Sequence, residues 1–323
     1  MTRSLISTTD LEPEEIDRLL RAATALREQR RRPPSGAAAG QVLRGSTVAL
    51  IFEKPSTRTR ISFEVGVAEL GGTPLALSST DLQLGRGETV ADTGAVLGRF
   101  VHAIVIRTFA QSRLEELARS SRLPVINALT DEEHPCQAFA DLLTIQTEFG
   151  SFAGRTLTYV GDGNNVAHSL LLAGASVGLG VRIAHPEGYA PDPDIVRRAE
   201  QLALVHGSEI AVTTDPVAAA RDAHVLYTDV WASMGQESEA TVRAAKFAPY
   251  ALDARLVAQA ANDAIVLHCL PAHRGEEIAA DVIDGPQSRV FDQAENRLHV
   301  QKALLAMLVG GDHTRTPTRE AAP

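Results

Sequence analysis

The chain has 323 residues, of which 44% are hydrophobic and 22% charged, the composition of an ordinary soluble protein. At about 150 residues per domain, this length predicts two domains. The formal net charge of −9 disfavours a general nucleic-acid-binding role, and a site for an anionic substrate would need a local positive field. The two cysteines, Cys136 and Cys269, are too few for a disulfide framework and have no C-x-x-C spacing.

The N-terminal residues and the apolar segments predict a cytoplasmic protein. The first seven residues, MTRSLIS, lack the apolar core of a secretory signal. The most apolar stretch, residues 170–181, is interrupted by glycine and is shorter than the about 20 residues that a bilayer requires. We therefore expect no membrane association.

The predicted elements alternate along the chain. Helical spacing of apolar residues predicts helices over 11–29, 61–70 and 134–147, and a final helix at about 293–309. Short apolar runs predict strands at 47–52, 103–107 and 124–126, and then at 156–160, 181–184, 209–213, 224–227, 264–268 and 289–291. Such alternation predicts an α/β fold of two doubly wound parallel-sheet domains joined by interdomain helices.

A domain boundary is predicted near 147–153, where glycine and serine interrupt the pattern. The first domain then covers 1–147 and the second covers 148–292, and we expect the final helix over 293–309 to pack back on the first domain. Because ligands of such sheets bind beyond the carboxyl ends of the strands, the segments after each strand are the first candidates for a site.

The segment after the first strand has the residue types of a phosphate site. Ser56, Thr57 and Thr59 offer hydroxyl groups at a helix start, and Arg58 offers a planar guanidinium. The G-x-x-x-x-G-K pattern of a Walker A loop is absent. A helix N-cap flanked by surface arginines is the alternative interpretation.

Two further segments in the first half carry polar groups at element ends. Arg107 closes a predicted strand, which is compatible with a site at the same rim or with a surface arginine. His134 and Gln137 lie where a loop enters a helix, so that His134 is suited to donate to a carbonyl oxygen and Gln137 to bind an amide. Taken alone, this pair is better explained as a capping histidine and a solvated glutamine.

In the second half, Gly161-Asp162-Gly163 follows a strand and resembles the start of a dinucleotide-binding turn. The third glycine of G-x-G-x-x-G is replaced by Val166, which breaks the pattern. Asn164 and Asn165 instead place amide groups at the helix start. A nucleotide-dependent oxidoreductase therefore remains only as an alternative function.

Three more positions in the second half are candidates. Asp229 leaves a strand end as a single anion, which suits a cationic ammonium group or an Asx turn. Cys269 follows another strand, either as an inert buried residue or as a polar contact and thiolate for a ligand. Arg297 lies early in the final helix, where a surface role is common.

Together these segments resemble one family in order and spacing, over about residues 11–308. Ser56-Thr57-Arg58-Thr59-Arg60, the strand-end Arg107 and His134-Pro135-Cys136-Gln137 are similar to the carbamoyl-phosphate signature of the aspartate and ornithine carbamoyltransferases. Asp229-Val230-Trp231-Ala232-Ser233-Met234-Gly235 and His268-Cys269-Leu270-Pro271 resemble the ornithine branch. The resemblance implies a carbamoyl-phosphate-binding first domain and an ornithine-binding second domain.

The resemblance also implies individual roles. The carbamoyl-phosphate contacts would be Ser56, Thr57, Arg58, Thr59, Gln83, Arg107, His134, Gln137, Cys269, Leu270 and Arg297. The ornithine contacts would be Asn165, Asp229, Ser233 and Met234, and the catalytic residues Arg107, His134, Asp229 and Cys269. Gln83 would reach a neighbouring site in a homotrimer. The Leu270–Pro271 bond would be cis, and Cys136 has no implied role.

The implied reaction carries the carbamoyl group from carbamoyl phosphate to the δ-amine of ornithine, giving citrulline and phosphate, with arginine biosynthesis as the expected context. We expect no metal, no organic cofactor and no nucleic-acid partner. The closest alternative is a carbamoyltransferase for putrescine, acetylornithine or aspartate. An aspartate site would require additional cations in the second domain, where this chain has Asp229.

Overall fold

A computed structural model describes residues 3–31, 41–78, 81–82, 87–232 and 239–310 of the chain. The chain divides into two compact units. Unit 1 comprises Met1–Ile6, Arg21–Ala128 and Leu298–Pro323, and unit 2 comprises Ser7–Leu20 and Leu129–Arg297. The first long helix, α1 (Pro13–Arg31), and the last, α12 (Val290–Leu308), each contribute residues to both units.

Unit 1 is built on a four-stranded sheet in the order β2-β1-β3-β4. The strands are β1 (Thr47–Phe52), β2 (Thr73–Ser78), β3 (Ala103–Arg107) and β4 (Val125–Leu129), and the helices between them are α2 (Thr57–Glu69), α3 (Val90–Phe100) and α4 (Gln111–Ser121). Strand β1 pairs in parallel with both β2 and β3. Ile51 on β1 and its register partner Ile106 on β3 are each 1% exposed, and each contributes about 1.5–3 kcal/mol by burial.

Unit 2 holds a five-stranded sheet in the order β7-β6-β5-β8-β9, in which all neighbouring strands are parallel. The strands are β5 (Thr156–Val160), β6 (Gly180–Ala184), β7 (Ile210–Thr213), β8 (Val225–Thr228) and β9 (Ile265–His268). The helices are α5 (Pro135–Phe149), α6 (Asn165–Ser176), α7 (Pro193–His206), α8 (Pro216–Ala220), α9 (Ala240–Phe247), α10 (Ala254–Val257) and α11 (Ala280–Ile283). The predicted α/β fold with two parallel sheets is confirmed.

Two of the differences between the predicted and the observed elements have a clear physical reason. The strand predicted at 289–291 is wrong, because these residues lead into α12. Val290, Gln293 and Arg297 are buried at helical spacing, but two of them are polar, so the apolar periodicity that predicted the final helix did not extend it back to Val290. Strand β2 was not predicted, because it is an edge strand with an exposed alternate face and contains Pro74, which an edge tolerates.

Candidate active site

The strand order of unit 1 reverses between β1 and β3, and this is where parallel α/β sheets form a ligand crevice. Phe52 and Arg107 are paired in register, and the Glu53 backbone N–H donates to the Arg107 carbonyl oxygen at 2.9 Å. The segment after β1 is thereby held beside the end of β3. The structure thus brings the predicted phosphate segment and Arg107 to one edge of the same sheet.

Helix α2 begins in this crevice with an N-terminus suited to an anion. Ser56 is its N-cap and accepts a hydrogen bond from the Thr59 N–H at 3.3 Å. Its first turn contains Thr57, the half-buried Arg58 and the fully buried Thr59, and no acidic residue. An anion bound at this N-terminus would contact backbone N–H groups and the positive end of the helix dipole, and no carboxylate in this turn would repel it.

Glu53 brings a carboxylate to the rim of this crevice, and its charge is compensated. The Arg113 guanidinium donates to Glu53 Oε1 at 2.5 Å, and the Thr108 hydroxyl also donates to this carboxylate. The charge of Glu53 is thus partly neutralised, while Arg58 and Arg107 bring positive charge to this crevice. A phosphate group is the ligand chemistry that this set favours.

The strand order of unit 2 reverses between β5 and β8. The register pairs Val160 with Thr228 and Thr228 with His268, so that the segments beginning at Gly161, Asp229 and Cys269 leave neighbouring strands at one level. The structure therefore brings Asp229 and Cys269 together, as their positions after predicted strands suggested.

Asp229 is buried and accepts three hydrogen bonds. Its Oδ1 accepts from the Val230 N–H at 2.8 Å and from the Cys269 Sγ at 2.9 Å, and its Oδ2 accepts from Asn164 Nδ2 at 3.0 Å. These three donors fix the orientation of the Asp229 carboxylate. The crevice of unit 2 is therefore suited to a cationic or amine-bearing ligand.

Comparison with known proteins gives the family. Residues 3–147 match the carbamoyl-P binding domain of aspartate/ornithine carbamoyltransferase, and residues 153–308 match its Asp/Orn binding domain. An ornithine carbamoyltransferase from Parafrankia sp. is 58% identical over 308 residues, which are 95% of this chain and 96% of the relative.

Solved structures give the same result. An ornithine carbamoyltransferase from Pyrococcus furiosus has a TM-score of 0.91 and 50% identity, covering 96% of this chain and 98% of that chain. The anabolic ornithine carbamoyltransferase from Campylobacter jejuni has a TM-score of 0.87 and 38% identity, covering 95% and 98%. The chain belongs to the aspartate/ornithine carbamoyltransferase family.

In this member of the family, the thiol of Cys269 is a proton donor. Burial raises its pKa well above the usual range, and the neighbouring charge of Asp229 raises it further. The thiolate interpretation of Cys269 is therefore disfavoured, and the thiol serves as a polar contact that orients Asp229. The Leu270–Pro271 peptide bond, which follows closely, is cis, as the family resemblance implied.

His134 and Gln137 open helix α5. His134 is the N-cap residue, and its backbone N–H donates to Ser169 Oγ at 2.7 Å. Gln137 is 1% exposed and donates through Nε2 to Asp141 Oδ1 at 2.8 Å. The interpretation of Gln137 as a solvated residue is wrong, since this side chain is enclosed.

Asp141 and Gln293 are the polar residues near this helix that sequence reasoning missed. Burial raises the pKa of Asp141 to about 7, against the opposing effect of hydrogen bonds from Gln293 and Gln137 and of the Arg297 charge. The spacing of Gln137, Asp141 and Thr144 on an otherwise apolar buried helix was the available signal, because buried polar groups need partners. Arg297 is 4% exposed, so it is not the surface residue that its position allowed.

The remaining candidates are placed as follows. Asn165 donates through Nδ2 to the Thr130 carbonyl oxygen at 2.5 Å, so that Asn164, rather than Asn165, contacts Asp229. The thiol of Cys136 is fully buried, and this burial raises its pKa to about 12. The predicted contacts Gln83, Ser233 and Met234 lie outside the residues that the structure describes.

Backbone packing explains why residue 163 is a glycine, without a bound nucleotide. A Cβ atom at this position would lie 2.1 Å from the backbone nitrogen of Pro191, so only glycine fits. Its N–H donates to the Tyr189 carbonyl oxygen at 2.9 Å. The Gly161-Asp162-Gly163 turn is therefore explained by close packing of two backbone segments.

Over the described part of the chain, no helix has the length and hydropathy that crossing a membrane would require.

Proposed function

We propose that this family member is an ornithine carbamoyltransferase that converts carbamoyl phosphate and L-ornithine into L-citrulline and phosphate. The observation that carries the choice of acceptor is the arrangement of Asp229, which accepts from Asn164 and Cys269 at the crevice of unit 2. A carboxylate there attracts the ammonium group of an amino acid. It would repel the side-chain carboxylate of aspartate, the other acceptor named for the family.

For carbamoyl phosphate, we assign the phosphate to the N-terminus of α2 and to Arg58, with hydroxyl contacts from Ser56, Thr57 and Thr59. The helix N-terminus without acidic residues supports this assignment. The carbamoyl group is assigned to Arg107, His134 and Gln137, with Cys269, Leu270 and Arg297 completing its contacts. Ornithine is assigned to Asn165, Asp229, Ser233 and Met234.

The proposed reaction begins with the neutral δ-amine of ornithine, whose lone pair forms a bond to the carbonyl carbon of carbamoyl phosphate. The C=O electron pair moves to oxygen, and Arg107, His134 and the Thr59 hydroxyl stabilise the resulting charge. Loss of one such donor typically costs about 3 kcal/mol. When the C=O bond re-forms, the C–O bond to phosphate breaks, Arg58 stabilises the phosphate, and the nitrogen proton is transferred to that leaving group.

We also propose a homotrimer in which Gln83 reaches a neighbouring subunit's site. In unit 1, large apolar side chains are exposed on α2, β2, α3 and the segment after β3, which supports a contact between copies. These side chains are Ile61, Leu75, Val96, Phe100 and Phe109, of which Phe100 is 74% exposed. Sedimentation should give three times the chain mass, and Phe100→Asp should reduce this mass, whereas a monomer in both cases would contradict the proposal.

For cellular context, we propose arginine biosynthesis in the cytoplasm. The Campylobacter jejuni relative is an anabolic enzyme, which supports the direction, and the two free cysteines are typical of a reducing compartment. Restoration of growth without arginine in a strain lacking this activity would test the direction. Growth restored only when citrulline is supplied would contradict it.

The experiment that tests the function measures phosphate release and ureido-product formation from carbamoyl phosphate with four acceptors in parallel. Ornithine should be used far better than putrescine, acetylornithine or aspartate. Preference for one of the other three would replace the acceptor while keeping the carbamoyltransferase. Binding of NAD(P) without turnover of carbamoyl phosphate would favour the oxidoreductase alternative.

A further inference from the structure

We propose that Asp141 is a positioning residue that fixes the side-chain amide of Gln137 with its oxygen directed away from Asp141, and thereby makes the site select an acyl phosphate that carries an amino group on its carbonyl carbon. This inference rests on the proposed function. It adds a specificity-determining residue, Asp141, that does not itself contact the substrate.

The backbone of β9 fixes the orientation of the Gln293 amide. The backbone N–H of His268, at the end of β9, can only donate, and it donates to Gln293 Oε1 at 2.9 Å. The amide of Gln293 is therefore fixed, with its oxygen toward His268 and its nitrogen on the other side. The two atoms of a glutamine amide are otherwise nearly interchangeable.

The fixed nitrogen of Gln293 sets the next contact. Gln293 Nε2 donates to Asp141 Oδ1 at 2.6 Å and to the Tyr227 hydroxyl oxygen at 3.1 Å. Asp141 Oδ1 is thus an acceptor, whether or not the other carboxyl oxygen carries a proton. Asp141 and Tyr227 are 0% exposed, so no bulk water replaces these partners.

Asp141 Oδ1 then determines the orientation of Gln137. Gln137 Nε2 donates to this oxygen at 2.8 Å. A flipped Gln137 would place its carbonyl oxygen against an oxygen acceptor, which loses a hydrogen bond and adds repulsion. The chain from His268 through Gln293 and Asp141 therefore leaves Gln137 Oε1 as the atom available to a ligand.

Gln137 Oε1 requires a donor. It is buried, and no group in the described part of the chain donates to it. A buried acceptor without a partner costs about 1–3 kcal/mol, which a ligand N–H would recover. Carbamoyl phosphate has an amino group on its carbonyl carbon, whereas acetyl phosphate has a methyl group of nearly the same size.

The test uses two stable phosphonates, phosphonoacetamide and acetonylphosphonate, which differ only in having an amino or a methyl group on the carbonyl carbon. Their dissociation constants are measured by calorimetry with the wild-type protein, Asp141→Leu, Asp141→Asn and Thr144→Val. Leucine removes the acceptor at similar volume, and asparagine keeps one. Thr144→Val removes a different buried hydrogen-bonding group from α5, a hydroxyl that accepts from Asn296 at 2.9 Å and lies about two helical turns beyond Gln137.

The wild-type protein should bind the amide about tenfold more tightly, the equivalent of about 1.4 kcal/mol. In Asp141→Leu the two dissociation constants should agree within about twofold, because the amide of Gln137 is free to turn. Asp141→Asn and Thr144→Val should keep the preference. A wild-type ratio in a folded Asp141→Leu protein, or no preference in the wild type, would overturn the inference.

Two further variants separate this role from a general loss of packing. In a Gln137→Leu background, Asp141→Leu should leave the ratio unchanged, and an additional change would contradict action through Gln137. If circular dichroism shows that Asp141→Leu does not fold, Gln293→Leu replaces it. The ratio of the two dissociation constants should then fall by about threefold, and an unchanged ratio would overturn the proposal. Failure of the wild type to bind either phosphonate would instead contradict the proposed function.

Discussion

The crevices of the two units have the same architectural origin and opposite charge. Each lies where the strand order reverses, between β1 and β3 in unit 1 and between β5 and β8 in unit 2. The first presents a helix N-terminus with Arg58 and Arg107, and the second presents Asp229 with two side-chain donors. The sheet topology therefore determines where each crevice lies, and the few residues after each strand determine its charge.

The net charge of −9 is compatible with this contrast. In the proposed function, this acidic protein holds the phosphate by concentrating cations and N–H groups in one crevice, where Arg113 compensates the charge of the nearby Glu53. The field that matters to the ligand is local, because charges more than about 10 Å apart at the surface are screened by salt. Four predictions test this division of roles.

The largest expected effect is in unit 1. Arg58→Gly should reduce citrulline formation by about three orders of magnitude while leaving the fold intact, because it removes a charged donor from the phosphate. Arg60→Gly is the matched control on the same helix, since Arg60 is exposed and pairs with Glu64 at 2.8 Å. Steady-state kinetics and circular dichroism of both variants check the prediction, and near-normal activity of Arg58→Gly would remove this residue from the site.

The second prediction concerns the acceptor. Asp229→Asn should raise the KM for ornithine by about tenfold to a hundredfold, with a much smaller effect on that for carbamoyl phosphate, because a charged partner of an ammonium group is lost. Asp263→Asn is the control, since Asp263 is an exposed carboxylate that pairs with Arg155. Equal changes in both KM values would mean that the two crevices do not divide the reactants as proposed.

The third prediction tests the protonated thiol of Cys269. Iodoacetamide should modify it slowly at pH 7, since burial and then Asp229 raise its pKa. Asp229→Asn removes the second cause and should accelerate modification by about tenfold, which mass spectrometry of the peptide measures. Cys136, whose pKa burial raises to about 12, is the internal control and should stay unmodified. Rapid modification of Cys269 in the wild type would argue for a thiolate.

The fourth prediction concerns stability. Burial raises the pKa of Asp141 to about 7, so the folded protein keeps a proton that the unfolded chain releases above about pH 4. The contribution of Asp141 to the free energy of unfolding should therefore fall as pH rises from about 4 to 7, by at most about 1.4 kcal/mol per pH unit. In urea unfolding, the free energy of unfolding of Asp141→Asn should not show this fall. The variant should therefore become more stable relative to the wild type as pH rises.

Asp284→Asn gives the opposite sign for comparison. A hydrogen bond from Arg274 lowers the pKa of Asp284 in the folded protein. The stabilisation of the folded protein by Asp284 is therefore present above the pKa of Asp284 in the unfolded chain, and it is lost as pH falls through the lower pKa of the folded protein. The wild type should therefore lose stability relative to Asp284→Asn only at acidic pH. The same pH trend in both variants would contradict the assignment for Asp141.

The short motifs that predicted the candidate site follow strands, and the structure confirms those strands. Local apolar runs sufficed to predict β1, β3, β8 and β9. Because neighbouring strands are parallel, the residues that end or follow them, Ser56, Arg107, Asp229 and Cys269, lie at the carboxyl ends of the strands of their sheets. Edge strand β2 was missed and α12 was mistaken for a strand at its start, because their buried faces are incomplete or polar.

The sequence by itself determined the fold class, the family and the chemical types at each strand end, since periodicity and residue identity are local properties. Only the tertiary structure decided that Asp229 contacts Asn164 and Cys269, and that Gln137 is held by Asp141 rather than solvated. The contact between Asp141 and Gln293 joins residues 152 positions apart. Hydrogen bonds of this kind depend on distances and orientations that the packing of the elements imposes, and no local pattern encodes them.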